Sequence, residues 1–227
     1  MKLLSVGSNP KTLKSDALGQ YVTAILYMSP ARSHGLEDYP TLCPKSTSGC
    51  EDSCLATSGR GNMNAVKNAR ISRAQLFLKE PEVFRYLLFE ELRAFSLRAL
   101  KNNVKPCVRL NGTSDIIWEV KLPQVFTEFP DIQFYDYTKI WQRTDIPDNY
   151  HLTYSYSEVN TDLKDIPGNV AVVFGGPKIP ETYEGIRVID GTTHDLRFLD
   201  DPEVIVGLRA LGRAKKDTTG FVVRNYS

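Results

Sequence analysis

Apolar residues in this chain fall into short runs separated by polar, glycine-containing turns. The run from Tyr21 to Met28 is β-branched and aromatic and stops at Ser29-Pro30, which predicts a buried strand. Further strands are predicted at 106–110, 132–135, 150–154, 170–174, 185–189 and 204–206. Helical spacing is clearest at Val83, Phe84, Leu87, Leu88, Glu91, Leu92, Phe95 and Leu100, which read as one stripe opposite Arg85, Glu90, Arg93 and Lys101. A helix capped by Asn62 and running through Val66, Ala69, Arg70 and Arg73 to about Leu78 precedes it and is broken by Glu80-Pro81. A third is predicted from Trp118 to Phe129, interrupted near Pro123.

Most of these strands end in a polar, acidic or glycine-containing turn. Asn111-Gly-Thr-Ser-Asp115, Asp136-Tyr-Thr-Lys139, Gly175-Gly-Pro177 and Asp190-Gly-Thr-Thr-His-Asp195 are the clearest. In a parallel α/β sheet or barrel such turns collect on one face and build the site. The connections after the third strand are short. The expected fold is a single α/β domain over residues 1–227: a small, irregular, TIM-barrel-like (β/α) barrel, with an open α/β sheet as the alternative. A long polar loop, about residues 30–61, follows the first strand.

At 227 residues the chain can bury a full core without disulfides. Its formal net charge of +1 gives no overall field that marks a nucleic-acid binder, although a local basic face is compatible with it. The opening residues lack the apolar run of a signal peptide, and no later run is long enough to span a membrane. The expected location is therefore the cytoplasm, with no membrane partner. In a reducing compartment, three of the four cysteines within one short stretch argue for metal or redox chemistry rather than disulfides.

That stretch is Cys43-Pro-Lys-Ser-Thr-Ser-Gly-Cys50-Glu-Asp-Ser-Cys54. Thiolates are soft ligands that suit zinc and iron–sulfur clusters. Zinc, an iron–sulfur cluster and reduced structural thiols all remain open, and the spacing is not that of common zinc fingers. Closed zinc needs a fourth ligand, with Cys107, His34 and His194 as candidates. Without one, three cysteines leave an open position, an arrangement that resembles radical S-adenosylmethionine enzymes, although their usual spacing is tighter.

The strand-end residues supply the other candidate chemistry. Asp115 and Asp136 are the candidate catalytic pair, because two carboxylates on one face can divide nucleophilic and acid–base roles. Arg109, Asn111, Ser114, Tyr135, Lys139, Asp190 and His194 are candidate substrate-binding residues. Each such Asp can also be a plain turn or helix cap. Arg60, Lys67, Arg70 and Arg73, with Arg209 and Arg213 near the other end, form a candidate nucleic-acid face.

Several of these motifs together resemble a family of phage-encoded proteins named after gene product 88. They are the cysteine loop with Gly59-Arg60, Ala69-Arg70, Arg109 to Asp115, Tyr135 to Lys139, Asp195-Leu-Arg-Phe-Leu-Asp200, Val206-Gly-Leu-Arg209 and Gly220-Phe-Val222. The resemblance covers nearly the whole chain and implies a phage source and an infected bacterial host. A second resemblance is to phage DNA-guanine transglycosylases, relatives of tRNA-guanine transglycosylase. It implies a barrel enzyme that exchanges guanine in DNA for a 7-deazaguanine base, with an aspartate nucleophile and zinc. The Asp-Ser-Gly-(Gly/Ala)-Phe motif of that superfamily is absent, so Asp115 and Asp136 are chosen by strand-end position alone. The competing expectations are an iron–sulfur enzyme on the same three cysteines and a zinc-stabilised nucleic-acid-binding protein without catalysis.

Overall fold

Ten strands form one mixed sheet in the computed structural model, which describes residues 1–7, 10–159, 162–163 and 166–226. In chain order they are β1 (Leu4–Val6), β2 (Tyr21–Leu26), β3 (Lys105–Arg109), β4 (Gln133–Thr138), β5 (Tyr150–Ser155), β6 (Val170–Phe174), β7 (Thr182–Tyr183), β8 (Ile186–Asp190), β9 (Ile205–Arg209) and β10 (Val222–Val223). Their spatial order is β1-β2-β3-β4-β5-β6-β9-β8-β7. Seven neighbours, β2 to β6 with β9 and β8, run parallel, and antiparallel β1 and β7 form the two edges. β10 lies parallel to β6 at Val173 and Phe174, beyond the point where β5 stops at Ala171.

The expected (β/α) barrel is not formed. Closure requires the first and last strands of the path to pair and helices to ring the outside. Here β1 and β7 do not meet, and the described helices are few. They are α1 (Pro10–Asp16), α2 (Ser48–Asp52), α3 (Asn64–Lys79), α4 (Pro81–Lys101), α5 (Trp118–Lys121) and α6 (Gln124–Glu128). The last two divide at Pro123, where the sequence predicts an interruption. After β4 no helix longer than a 3-10 turn is described.

The two faces of the sheet are built differently. On one, Ala24, Leu26, Val108 and Phe134 pack against Phe84, Leu88, Leu92 and Phe95 of α4 and against Trp118 and Phe126. This core continues beyond β5 as Val170, Val172, Phe174 and Ile205 with Tyr154, Leu163 and Ile166. Glu91, half-buried on α4, accepts hydrogen bonds from the Leu3 and Leu4 amides at 2.6 and 2.8 Å and so fixes β1 to the helix. The opposite face carries Thr23, Cys107, Arg109, Tyr135 and Tyr137, covered by α1 and a turn that contributes Leu196 and Phe198. Two residues of the predicted α4 stripe are not in the core, for Val83 is 45 % and Leu100 76 % exposed.

Candidate functional site

The C-terminal ends of the seven parallel strands lie along one rim, and the cysteine loop folds over it. Thr47 caps α2 by accepting from the Cys50 amide. Glu158, just after β5, accepts from the Thr47 hydroxyl at 2.8 Å and the Gly49 amide at 3.0 Å. A methyl group on Gly49 would run into Thr219 and Phe221, so this position needs glycine for close packing rather than for backbone freedom. The Asp115 amide donates to Leu42 O at 2.8 Å, which brings the end of β3 to the start of the loop.

Cys43, Cys50 and Cys54 are all partly buried and free of disulfides. Burial pushes the Cys43 thiol up to about 12, and Asp115, Cys54 and Cys50 add to the rise. Burial also raises Cys50 and Cys54, while Lys139 works against it at both. The three thiols are thus near enough for charge on one to disfavour charge on the others. As a donor set they fit a thiophilic cation, which needs thiolates. Among the described residues no three His, Cys, Asp or Glu groups stand ready-made around a common point.

None of the expected fourth ligands is in place. Cys107 lies inside the sheet with its Sγ 3.3 Å from Thr23 Oγ1. His34 accepts the Leu36 amide at Nδ1, and its Nε2 lies 3.1 Å from Pro40 O. His194 is held by Arg197, whose Nη2 is 3.1 Å from its Nδ1.

Asp115 is the predicted carboxylate that belongs to this rim. Its oxygens accept from Thr138 Oγ1 at 2.7 Å and the Lys139 amide at 2.9 Å. Burial raises its pKa, and those two hydrogen bonds partly offset the rise. Lys139 Nζ donates to Tyr156 O and lies 4.9 Å from the centre of the Phe221 ring. Ser114 donates to Asn111 Oδ1.

Asp136 does not form a pair with Asp115. It is fully buried on the α4 side of the sheet, accepting from the Asn111 amide at 2.8 Å and the Tyr150 hydroxyl at 2.9 Å. Burial lifts its pKa to about 7, against the pull of Arg109. Asn111 is likewise a structural knot. Its Oδ1 accepts from Ser114, the Ile116 amide and Trp118 Nε1, and its Nδ2 donates to Ile116 O.

Arg109 and Tyr135 point to the other face and meet Asp195, a residue the substrate-binding set omits. Arg109 Nη1 donates to Asp195 at 2.9 Å, Lys11 Nζ lies 3.1 Å from the same carboxylate, and Tyr135 donates at 3.4 Å. Burial would raise Asp195, but Arg109 and then Lys11 outweigh it and hold the carboxyl below its ordinary value. Asp190 is an exposed turn former whose Oδ1 accepts from the amide and hydroxyl of Thr192. His194 lines a cleft of about 310 Å³ with Asp190, Thr193, Asp200 and Asp201.

The basic residues also divide. Arg70 is buried, donates to Ala56 O and Gly61 O, and covers the Tyr27 ring. Arg73 donates to Lys2 O and Tyr27 O. Both are engaged in holding the backbone. Arg60, Lys67, Arg209 and Arg213 are exposed. A methyl on Gly212 would fall 2.7 Å from Ser58 Cβ, so the basic turn at 212–216 sits against the turn that carries Arg60, beside the cysteine loop.

The molecule is therefore an open α/β sheet protein with a thiol-rich rim at the ends of its parallel strands. Its sequence matches the model of the family described as Gene product 88 over residues 2–225, and it belongs to that family, which places it among phage proteins. No curated protein and no protein of solved structure matches it, so the likeness to transglycosylases gains no support there. Among the described residues no helix is long and apolar enough to cross a membrane.

Proposed function

We propose that this protein is a phage enzyme that modifies bases in DNA, with a thiophilic metal centre on its strand-end rim. The observation that carries the reading is the meeting of Cys43, Cys50 and Cys54 with Asp115, Lys139 and Glu158 on one edge. Exposed Arg60, Arg209 and Arg213 flank that edge and suit DNA phosphates. The three cysteines would hold zinc or an iron–sulfur cluster, and such a centre would supply Lewis acidity or electron transfer when bound.

The reaction we assign is exchange of guanine for a 7-deazaguanine base. Asp115 attacks the sugar C1′, and guanine departs with the electron pair of the C1′–N9 bond. The incoming base then attacks C1′ through N9 and releases the carboxylate. Its N9 proton ends on the departing guanine, so the exchange is balanced. Thr138 and the Lys139 amide orient Asp115. The target base must first leave the stack, at a cost of roughly a few kcal/mol. Asp136 takes no part.

The test is nucleoside mass analysis of DNA from cells that make both the protein and the 7-deazaguanine precursor. A 7-deazaguanine nucleoside is expected, and Asp115→Ala should abolish it while remaining folded. Unmodified DNA with the precursor present overturns the assignment. That Cys107, His34 and His194 are all engaged elsewhere favours a second reading, an iron–sulfur enzyme with an open position for an outside ligand. Anaerobically purified protein would then be brown, absorbing near roughly 400 nm. A colourless protein with about one zinc per chain excludes it.

A further inference from the structure

Helix α4 carries two stripes. The core stripe of Phe84, Leu88, Leu92, Phe95 and Ala99 faces the sheet. The second consists of Val83, Tyr86, Glu90, Arg93, Leu97 and Leu100, all exposed. Their spacing alternates three and four residues over the whole length of the helix, which is the heptad period of a coiled-coil seam. At its ends lie four large apolar side chains, with Tyr86 65 %, Leu97 68 % and Leu100 76 % exposed. At its centre lie the Glu90 carboxylate and the Arg93 guanidinium, paired at 2.6 Å within the helix, and Arg93 also reaches Glu128 of α6 at 3.2 Å through its second nitrogen.

The order of these residues is self-complementary when reversed. We infer that two copies of the chain pair through α4, antiparallel, about a twofold axis at its middle. In that arrangement Val83 meets Leu100 of the second copy, Tyr86 meets its Leu97, and Glu90 meets its Arg93. Each contact occurs twice, as an isologous interface requires. The charges choose the orientation. A parallel pair in the same register would set Glu90 against Glu90 and Arg93 against Arg93, whereas the antiparallel pair makes two ion pairs between copies. A central polar pair in an apolar seam is a known register device. The pairing gives Val83 and Leu100 a role, for at about 100° per residue both lie on the face of α4 away from the core stripe.

A single helix pair is a small interface, so dissociation is expected in the micromolar range, roughly 1–50 µM. Sedimentation equilibrium of the full chain should show twice the monomer mass above that range and the monomer below it. Leu97→Lys with Leu100→Lys should give monomer throughout, with unchanged circular dichroism, since both residues are exposed and lysine suits a helix C-terminus. Glu90→Arg and Arg93→Glu should each weaken self-association at least tenfold, and an equimolar mixture of the two should restore it, because their charges then complement. Wild-type monomer at roughly 200 µM, a dimer indifferent to the lysine variant, or a mixture that fails to associate would each overturn the inference.

Discussion

The two faces of the sheet bury their side chains by opposite means. Under α4 the contacts are hydrocarbon and aromatic, such as Phe84, Leu88 and Phe134, all about fully buried. Under α1 they centre on Asp195, which is 1 % exposed and held by Arg109 and Lys11. Hydrocarbon packing tolerates moderate change, because a smaller side chain loses only its own contacts and leaves a cavity. A buried charge triad tolerates little, because deleting one member strands the others. The α1 face is therefore the brittle one.

The largest expected effect tests this directly. Asp195→Ala should cost about 3–5 kcal/mol in denaturant unfolding, since Arg109 remains buried without its counter-charge. Joint replacement of Lys11, Arg109 and Asp195 by Met, Met and Leu should recover most of that loss. If the triple variant is no better than the single one, the triad does more than neutralise itself.

Titration sharpens the contrast next. Asp136 sits on the apolar face with its carboxyl raised to about 7. A carboxyl raised on folding binds its proton more tightly in the native state. Its contribution is complete below the unfolded value near 4 and is lost as pH rises through about 7, at up to about 1.4 kcal/mol per pH unit. Asp195 has the opposite sign, since its lowered pKa contributes stability above the unfolded value that is lost as pH falls. Asp136→Asn should flatten the stability profile between pH 4 and 7 while leaving the acid limb intact. An unchanged slope in that window would show that Asp136 is charged in the folded protein.

The smallest effect separates cations that look alike in sequence. Arg70→Ala leaves Ala56 O and Gly61 O without their donor and should cost about 1–3 kcal/mol. Arg213→Ala should stay within about 0.5 kcal/mol in stability and weaken DNA binding, read from its salt dependence. Equal losses of stability would mean the 212–216 turn is structural.

Much of the sheet was legible because its central strands are β-branched or aromatic runs closed by turns. Those at 106–110, 150–154 and 170–174 lie where the pattern places them. Closure was not legible, since whether β1 meets β7 depends on the sum of twists and connections rather than on any local run. Helix α1 has Leu13 as its one large apolar residue and shows no stripe. The site was half legible. Strand-end position placed Asp115 correctly on the rim. The same argument misplaced Asp136, although alternation along β4 already sets it on the side of Phe134 and opposite Tyr135 and Tyr137. Asp195 was visible as a strand-end acid, but its partners come from α1 and β3, and no spacing in the chain connects them.

Strand β10 bears on how the molecule is made. It comes last among the ten strands, yet its partner β6 lies in the interior of the sheet, flanked by β5 and β9. During synthesis the ribosome therefore still holds Val222 and Val223 when every other strand has been translated, and the upper half of one β6 edge stays bare until they emerge. Nascent chains of this protein should remain open to proteases and to chaperones until those two residues emerge. A stop codon placed before Phe221 should leave an unpaired edge in the middle of the sheet, and the shortened protein should be recovered in aggregates.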